Sequence, residues 1–166
     1  MKYIFGLLVP FYVLDQLTKL WVSRTLPFET ERTIIPGFFE LVHWGNTGAA
    51  FSIMQGQGWF FIILAVVAIG IMSWMALRGH LRDPLNKTAF ALLAAGILGN
   101  VTDRILHGHV IDFLLFYLHI PFANPWPAFN VADSCICVAA ALLIWDSLFS
   151  KKPTLSPAEK PASIAN

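Results

Sequence analysis

A chain of 166 residues has room for one domain, yet 57% of it is apolar, 14% aromatic and only 13% charged. Ordinary soluble domains carry roughly 45–50% apolar and about 25% charged residues, so the deficit of charge describes a chain whose solvent is largely lipid. A net charge of +1 argues against nucleic acid as a partner.

Crossing a bilayer core takes roughly 20 mostly apolar residues in helical form, and four stretches approach that length. The first is 3–22, where Asp15, Gln16 and Lys19 interrupt the apolar run and no small-residue cleavage pattern follows. It therefore reads as a retained helix rather than a removable secretory signal. The segment 23–57 is too long for a plain connection, and its TIIPGFFELVHW run alternates in the manner of short strands or an interfacial platform. Its aromatics suit a headgroup layer. A second span covers 58–77, a charged hairpin (RGHLRDPLNK) covers 78–87, and a third span covers 88–106. After the connection 107–128 comes a fourth span, 129–149. The tail KKPTLSPAEKPASIAN is rich in Pro, Ser and Ala without apolar period. The expectation is one membrane-embedded domain over residues 1–150 and a disordered, dispensable tail over 151–166.

Orientation follows from the connections, because cytoplasmic loops collect Lys and Arg. Lys2, Arg78, Arg82, Lys87, Lys151, Lys152 and Lys160 fall on one side, against Arg24 and Arg32 on the other. Both termini are then expected inside, with 23–57 and 107–128 outside.

An ionisable group at membrane depth costs at least a few kcal/mol, so each is by default a functional candidate. With a rise of about 1.5 Å per residue, Asp15 and Lys19 lie in the outer half of the first helix. Asn100, Asp103 and Arg104 lie near the outer end of the third, Asp112 just after it, and Asp133 about one turn into the fourth. All share one level. Asp112 and Asp133 are joined by a loop that leaves and re-enters the same membrane face, so their carboxylates can meet. Such a pair holds one proton near neutral pH, because like charges a few ångströms apart do not both ionise comfortably. The ionised member can activate a water while the protonated one hydrogen-bonds a scissile carbonyl, which is amide hydrolysis without metal, cofactor or covalent intermediate.

Each candidate also has a plainer role. Asp133 and Asn130 could cap the fourth helix, and Asn130 is expected to cap and to orient a carboxylate at once. Arg104 shares a helical face with Asn100 and could hold a substrate carbonyl or lipid head, or snorkel to the headgroups. Asp103 could simply pair with a cation, Asp15 and Lys19 could neutralise each other, and Asn46 could belong to an ordinary turn. His107 and His109 read as solvated loop residues rather than metal ligands, Cys135 and Cys137 as core, and Asp146 as interfacial. A channel would need polar groups through the full depth, whereas GWFFIILAVVAIGIMSWMAL is bare of charge. Ser134 and Ser147 have no histidine within their helices, which argues against a serine peptidase. An inactive structural partner protein would tolerate Asp112→Asn.

Five motifs occur in order: DQLTK at 15–19, NTGAAFS at 46–52, GNVTDR at 99–104, VIDF at 110–113 and FNVADS at 129–134. Together they resemble the lipoprotein signal peptidase (signal peptidase II) family, over nearly the whole chain except the tail. The resemblance implies an aspartyl endopeptidase of the bacterial inner membrane. It would remove signal peptides from prolipoproteins just before a cysteine already carrying diacylglycerol. Its catalytic pair matches Asp112 and Asp133, and its supporting residues match Asp15, Asn46, Asn100, Arg104 and Asn130. Globomycin-type inhibitors would bind the same site, membrane phospholipid would surround it, and a monomer is expected. The implied fold is an all-α membrane protein of four transmembrane helices with a small periplasmic β-cradle and a short periplasmic helix. Ala95 and Gly96 stand where many members have paired glycines, a mild departure that leaves helix packing intact.

Overall fold

A computed structural model describes residues 1–48, 54–81, 83–121 and 123–149. The tail, Arg82 and residues 49–52 of the NTGAAFS motif lie outside the described residues.

Among the described residues the chain forms four helices and one antiparallel sheet. In order these are α1 (Lys2–Thr25), β1 (Glu31–Ile35), β2 (Phe39–Asn46), α2 (Gly58–Leu77), α3 (Pro84–His107), β3 (Val110–Phe116), β4 (Trp126–Phe129) and α4 (Val131–Phe149). All four helices are long and apolar enough to cross a membrane. Large apolar side chains stand exposed along them, among them Trp21, Trp59, Ile63, Val66, Leu77, Ile144 and Leu148. Lipid is the solvent that tolerates such a surface. The sequence placed the second span on the same residues and the other three within a few residues of their observed ends.

Helix α3 is the centre of the bundle. Asp83 caps its start by accepting from the backbone N–H of Asn86 at 2.8 Å, Pro84 opens the first turn, and Gly108 stops the helix in the left-handed conformation (φ 78°). Its buried face is a run of small residues, Ala91, Ala94, Ala95, Gly96 and Gly99, which lets neighbouring backbones approach closely. A β-carbon on Gly96 would strike the carbonyl oxygen of Ala132 in α4. One on Gly99 would come within 2.5 Å of the Asp15 carboxylate in α1. Ala95 is itself buried, so the departure from paired glycines is accommodated.

The sheet has the order β1-β2-β3-β4. Its β1–β2 hairpin confirms strands within TIIPGFFELVHW, with Gly37 supplying the positive φ (71°) of the turn. The four helices and the small β-sheet expected beside them are both present, and 107–128, which reads from the sequence as a connection, contributes most of strands β3 and β4 to that sheet. The core-facing part of β3 (VIDF) is buried on both faces and so lacks the alternation that betrays a strand. The short additional helix has no counterpart among the described residues. Pairing of β2 with β3 sets Trp44 opposite Asp112 and Asn46 opposite Val110, which carries Asn46 to the edge of Asp112.

Candidate active site

The site begins with a buried ion cluster where α1 meets α3. Lys19 Nζ lies 2.8 Å from Asp15 Oδ2 and 2.8 Å from Asp103 Oδ2, and donates to Asn100 Oδ1 at 3.2 Å. An ammonium has three protons, and all three are used. Lys19, Asp15 and Asp103 are each no more than 2% exposed, so the charges survive in the interior only because the shared ammonium and the surrounding donors offset the two carboxylates. Gln16 Nε2 stitches the cluster further, donating to Asp15 (3.1 Å), Asp103 (3.2 Å) and the carbonyl of Gly99 (3.3 Å).

The second carboxylate oxygen of Asp15 accepts from the backbone N–H of Ala132 at 2.8 Å, tying α1 to the first turn of α4. Asp103 Oδ2 accepts from the backbone N–H of Ile111 at 3.1 Å, tying α3 to β3. Asn100 turns its amide the other way and donates to Asp133 Oδ1 at 2.7 Å.

Above this cluster lie the two aspartates. Asp133 occupies the third position of α4 and forms a reciprocal cap with Asn130. The Asp133 N–H donates to Asn130 Oδ1 at 2.9 Å, and the Asn130 N–H donates to Asp133 Oδ2 at 3.2 Å. The same Asn130 sends its Nδ2 to Asp112 Oδ1 at 2.8 Å, with longer bonds to Asn100 Oδ1 and the Ile111 carbonyl, both 3.3 Å. One fully buried asparagine thus caps a helix and brackets both carboxylates, the double role expected of it. Asp112 Oδ2 accepts from Asn46 Nδ2 at 3.0 Å, while Asn46 Oδ1 accepts from the N–H of Gly48 at 2.9 Å. Asn46 therefore serves both a turn and the site.

Burial pushes the Asp112 carboxyl up to about 7, and the neighbouring charge of Asp133 pushes the same way. The donors on Asn46 and Asn130, and the charge of Lys19, oppose this without overcoming it.

Arg104 does not reach outward to headgroups. Its Nη2 donates to the Gly48 carbonyl at 2.8 Å and its Nη1 to the Asn100 carbonyl at 3.4 Å. The guanidinium carbon lies 4.8 Å from the centroid of the Phe61 ring, and Nε has no partner among the described residues. This places a cation against α2 and beside a cavity of about 530 Å³. Asn46, Gly48, Asn100, Arg104 and Asp133 supply the polar part of the cavity wall, and β4 with the first half of α4 (Trp126, Phe129, Ile136, Val138) supplies the apolar part.

All seven residues singled out from the sequence, Asp15, Asn46, Asn100, Arg104, Asp112, Asn130 and Asp133, come together in this one network. Asp103, left aside as a simple ion partner, does pair with Lys19 but also fixes the strand that carries Asp112. Gln16 was missed as well. Both sit one helical step from residues already chosen, and treating every buried polar group in a span as a candidate would have retained them. His109 stacks against Phe28, with ring centroids 5.4 Å apart, and burial beside His107 keeps its basicity below the ordinary histidine value.

The family model for signal peptidase (SPase) II matches residues 7–149. A lipoprotein signal peptidase of Ralstonia nicotianae is 46% identical over 147 residues, covering 86% of this chain and 82% of its own. One from Neisseria meningitidis serogroup C is 44% identical over 147 residues, covering 84% and 85%. A solved structure described as a bacterial membrane enzyme, obtained by the in meso method, superposes with a TM-score of 0.78 at 27% identity, covering 92% of this chain and 94% of that one. With one family model reaching from the start of α1 to the end of α4, and relatives above two-fifths identity along nearly the same length, this chain belongs to the signal peptidase II family of membrane peptidases.

Proposed function

We propose that the chain is an aspartyl endopeptidase that removes signal peptides from prolipoproteins, with Asp112 and Asp133 as its catalytic pair. The observation that carries this reading is the bracket of Asn130: two carboxylates from separate elements, β3 and α4, are held by one residue, Asp112 by its side-chain amide and Asp133 by its backbone N–H, with Asp133 in the wall of a cavity. With Asp112 pushed up to about 7, the pair keeps one proton between its members near neutral pH, and that titration belongs to the pair rather than to either residue. The ionised carboxylate takes a proton from water as the water oxygen attacks the scissile carbonyl carbon. The protonated carboxyl hydrogen-bonds the carbonyl oxygen, and as the tetrahedral intermediate collapses the C–N bond breaks and the departing amine takes up the proton that the other carboxylate had taken from water.

The substrate follows from the setting and from the relatives' shared name, lipoprotein signal peptidase. A cavity walled on one side by apolar residues of α4 suits a signal helix arriving from the lipid, with its small residues beside the aspartates. The cleaved bond precedes a cysteine already carrying diacylglycerol. Residues 1–150 form the peptidase domain, and 151–166 form a cytoplasmic tail. The enzyme sits in the bacterial inner membrane with both termini in the cytoplasm, the sheet as a periplasmic cradle and the aspartates near the periplasmic face. It works as a monomer without cofactor, and globomycin-type inhibitors compete for the cavity.

Purified protein in detergent, given a lipid-modified prolipoprotein, is expected to cleave it, and Asp112→Asn and Asp133→Asn are each expected to abolish cleavage while folding is retained. Cleavage by either variant would remove the dyad, and loss of wild-type activity on adding a chelator would move the chemistry to a metal.

A further inference from the structure

The ammonium of Lys19 divides its three protons among Asp15, Asp103 and Asn100. Each of these acceptors passes the restraint on to an aspartate of the pair. Asp15 holds the N–H of Ala132, the residue immediately before Asp133, at 2.8 Å. Asp103 holds the N–H of Ile111, the residue immediately before Asp112, at 3.1 Å. Asn100 donates directly to Asp133 Oδ1 at 2.7 Å. A structural ion pair between Asp15 and Lys19 would need only the first of these contacts. The third has a further effect: with Lys19 Nζ and Asn130 Nδ2 both donating to Asn100 Oδ1, the amide keeps its NH₂ facing Asp133.

We propose that Lys19 is the positioning residue of the dyad, fixing β3 and the first turn of α4 relative to each other and, together with Asn130, setting the orientation of the Asn100 amide. This rests on the reading of Asp112 and Asp133 as the catalytic pair. Lys19 touches neither aspartate; it positions them through the three acceptors, while its charge also favours the ionised form of Asp112. The charged groups that face it are Asp15 from its own helix and Asp103 from α3, with the dyad itself beyond Asn100. Two carboxylates and one ammonium give the cluster a net charge of −1.

Lys19→Met combined with Asp103→Asn keeps that charge at −1 while removing the cation, so a comparison with wild type holds the net charge of the cluster constant. Asp103→Asn alone is the reference for the lost carboxylate. In full-length protein in detergent, with a lipid-modified prolipoprotein as substrate, kcat of the pair is expected to fall about 10- to 100-fold below the Asp103→Asn reference, with KM unchanged. A misplacement of catalytic groups by about 1 Å has an effect of that size. The bell-shaped pH–rate profile is expected to lose height, beyond any displacement that loss of the Lys19 charge gives it. Lys19→Gln with Asp103→Asn, whose side-chain amide can still donate to Asn100, is expected to fall between the two, at least several-fold below the reference, and decides alone if the methionine pair does not fold. A kcat equal to the reference in the folded pair, a loss confined to KM, or a bell displaced along the pH axis without loss of height overturns the proposal. Asp112→Asn is assayed alongside. If it cleaves, the dyad reading has failed; if it is inactive while the Lys19 variants keep full kcat, only the positioning role has.

Discussion

The position of Asp112 makes the stability of the protein depend on pH in a direction that can be worked out in advance. Its ordinary value is 3.8, and burial beside Asp133 pushes it up to about 7 in the folded chain. The folded state therefore binds this proton more tightly than the unfolded state. The contribution to stability is fully present below pH 3.8 and is lost as the pH climbs to about 7. A rise of about three pKa units corresponds to a loss on the order of 4 kcal/mol across that window. Asp112→Asn removes the ionisation and so escapes the loss. The substitution has its own cost, because the single amide oxygen can accept from Asn46 or from Asn130 but not from both, leaving one buried donor unsatisfied at about 2 kcal/mol. The variant should then be less stable than wild type by about 2 kcal/mol near pH 4 and more stable by about 2 kcal/mol at pH 8, with the two curves crossing between. Denaturant unfolding in mixed micelles, followed by the fluorescence of the six tryptophans, measures the difference at each pH. Titration of the carboxylates that do not interact with Asp112 cancels in the comparison. A difference that stays constant from pH 4 to pH 8 would refute the reasoning, since it would mean that Asp112 is no harder to ionise in the folded protein than in the unfolded chain.

Two further substitutions test the packing and the bracket. Gly96→Ala drives a methyl group into the Ala132 carbonyl and the Ile136 side chain, so α3 and α4 must part; a loss of about 1–3 kcal/mol in thermal unfolding is expected, together with reduced cleavage. Asn130→Ala removes the cap of α4 and the bond to Asp112 together. It should lower stability by about 1–2 kcal/mol and kcat at least tenfold, measured by unfolding and by the prolipoprotein assay; a drop in stability without a drop in kcat would reduce Asn130 to a cap.

The four spans were legible because a bilayer imposes a demand that composition alone can meet or fail: about 20 apolar residues in a row, whatever their partners. The level at which Asp15, Asn100, Asp112 and Asp133 sit was legible for the same reason, since helix rise converts residue number into depth. Strands β3 and β4 were not. VIDF is buried on both faces, and a strand without alternation carries no mark of its own until a neighbouring strand and a helix cover it. Nor could the sequence say what Lys19 holds. Its spacing to Asp15 suggested a pair within one helix, whereas Asp103 and Asn100 reach it from eighty residues away along the chain, on α3. Asn130 shows the division most clearly: the sequence could assign it a cap, because a cap depends on residues three apart, but its grip on Asp112 depends on a strand brought alongside by the β2–β3 register. Local periodicity and the thickness of the membrane determined the helices, while the close approach of α3 to α1 and α4, permitted by Gly96 and Gly99, decided which polar groups would meet.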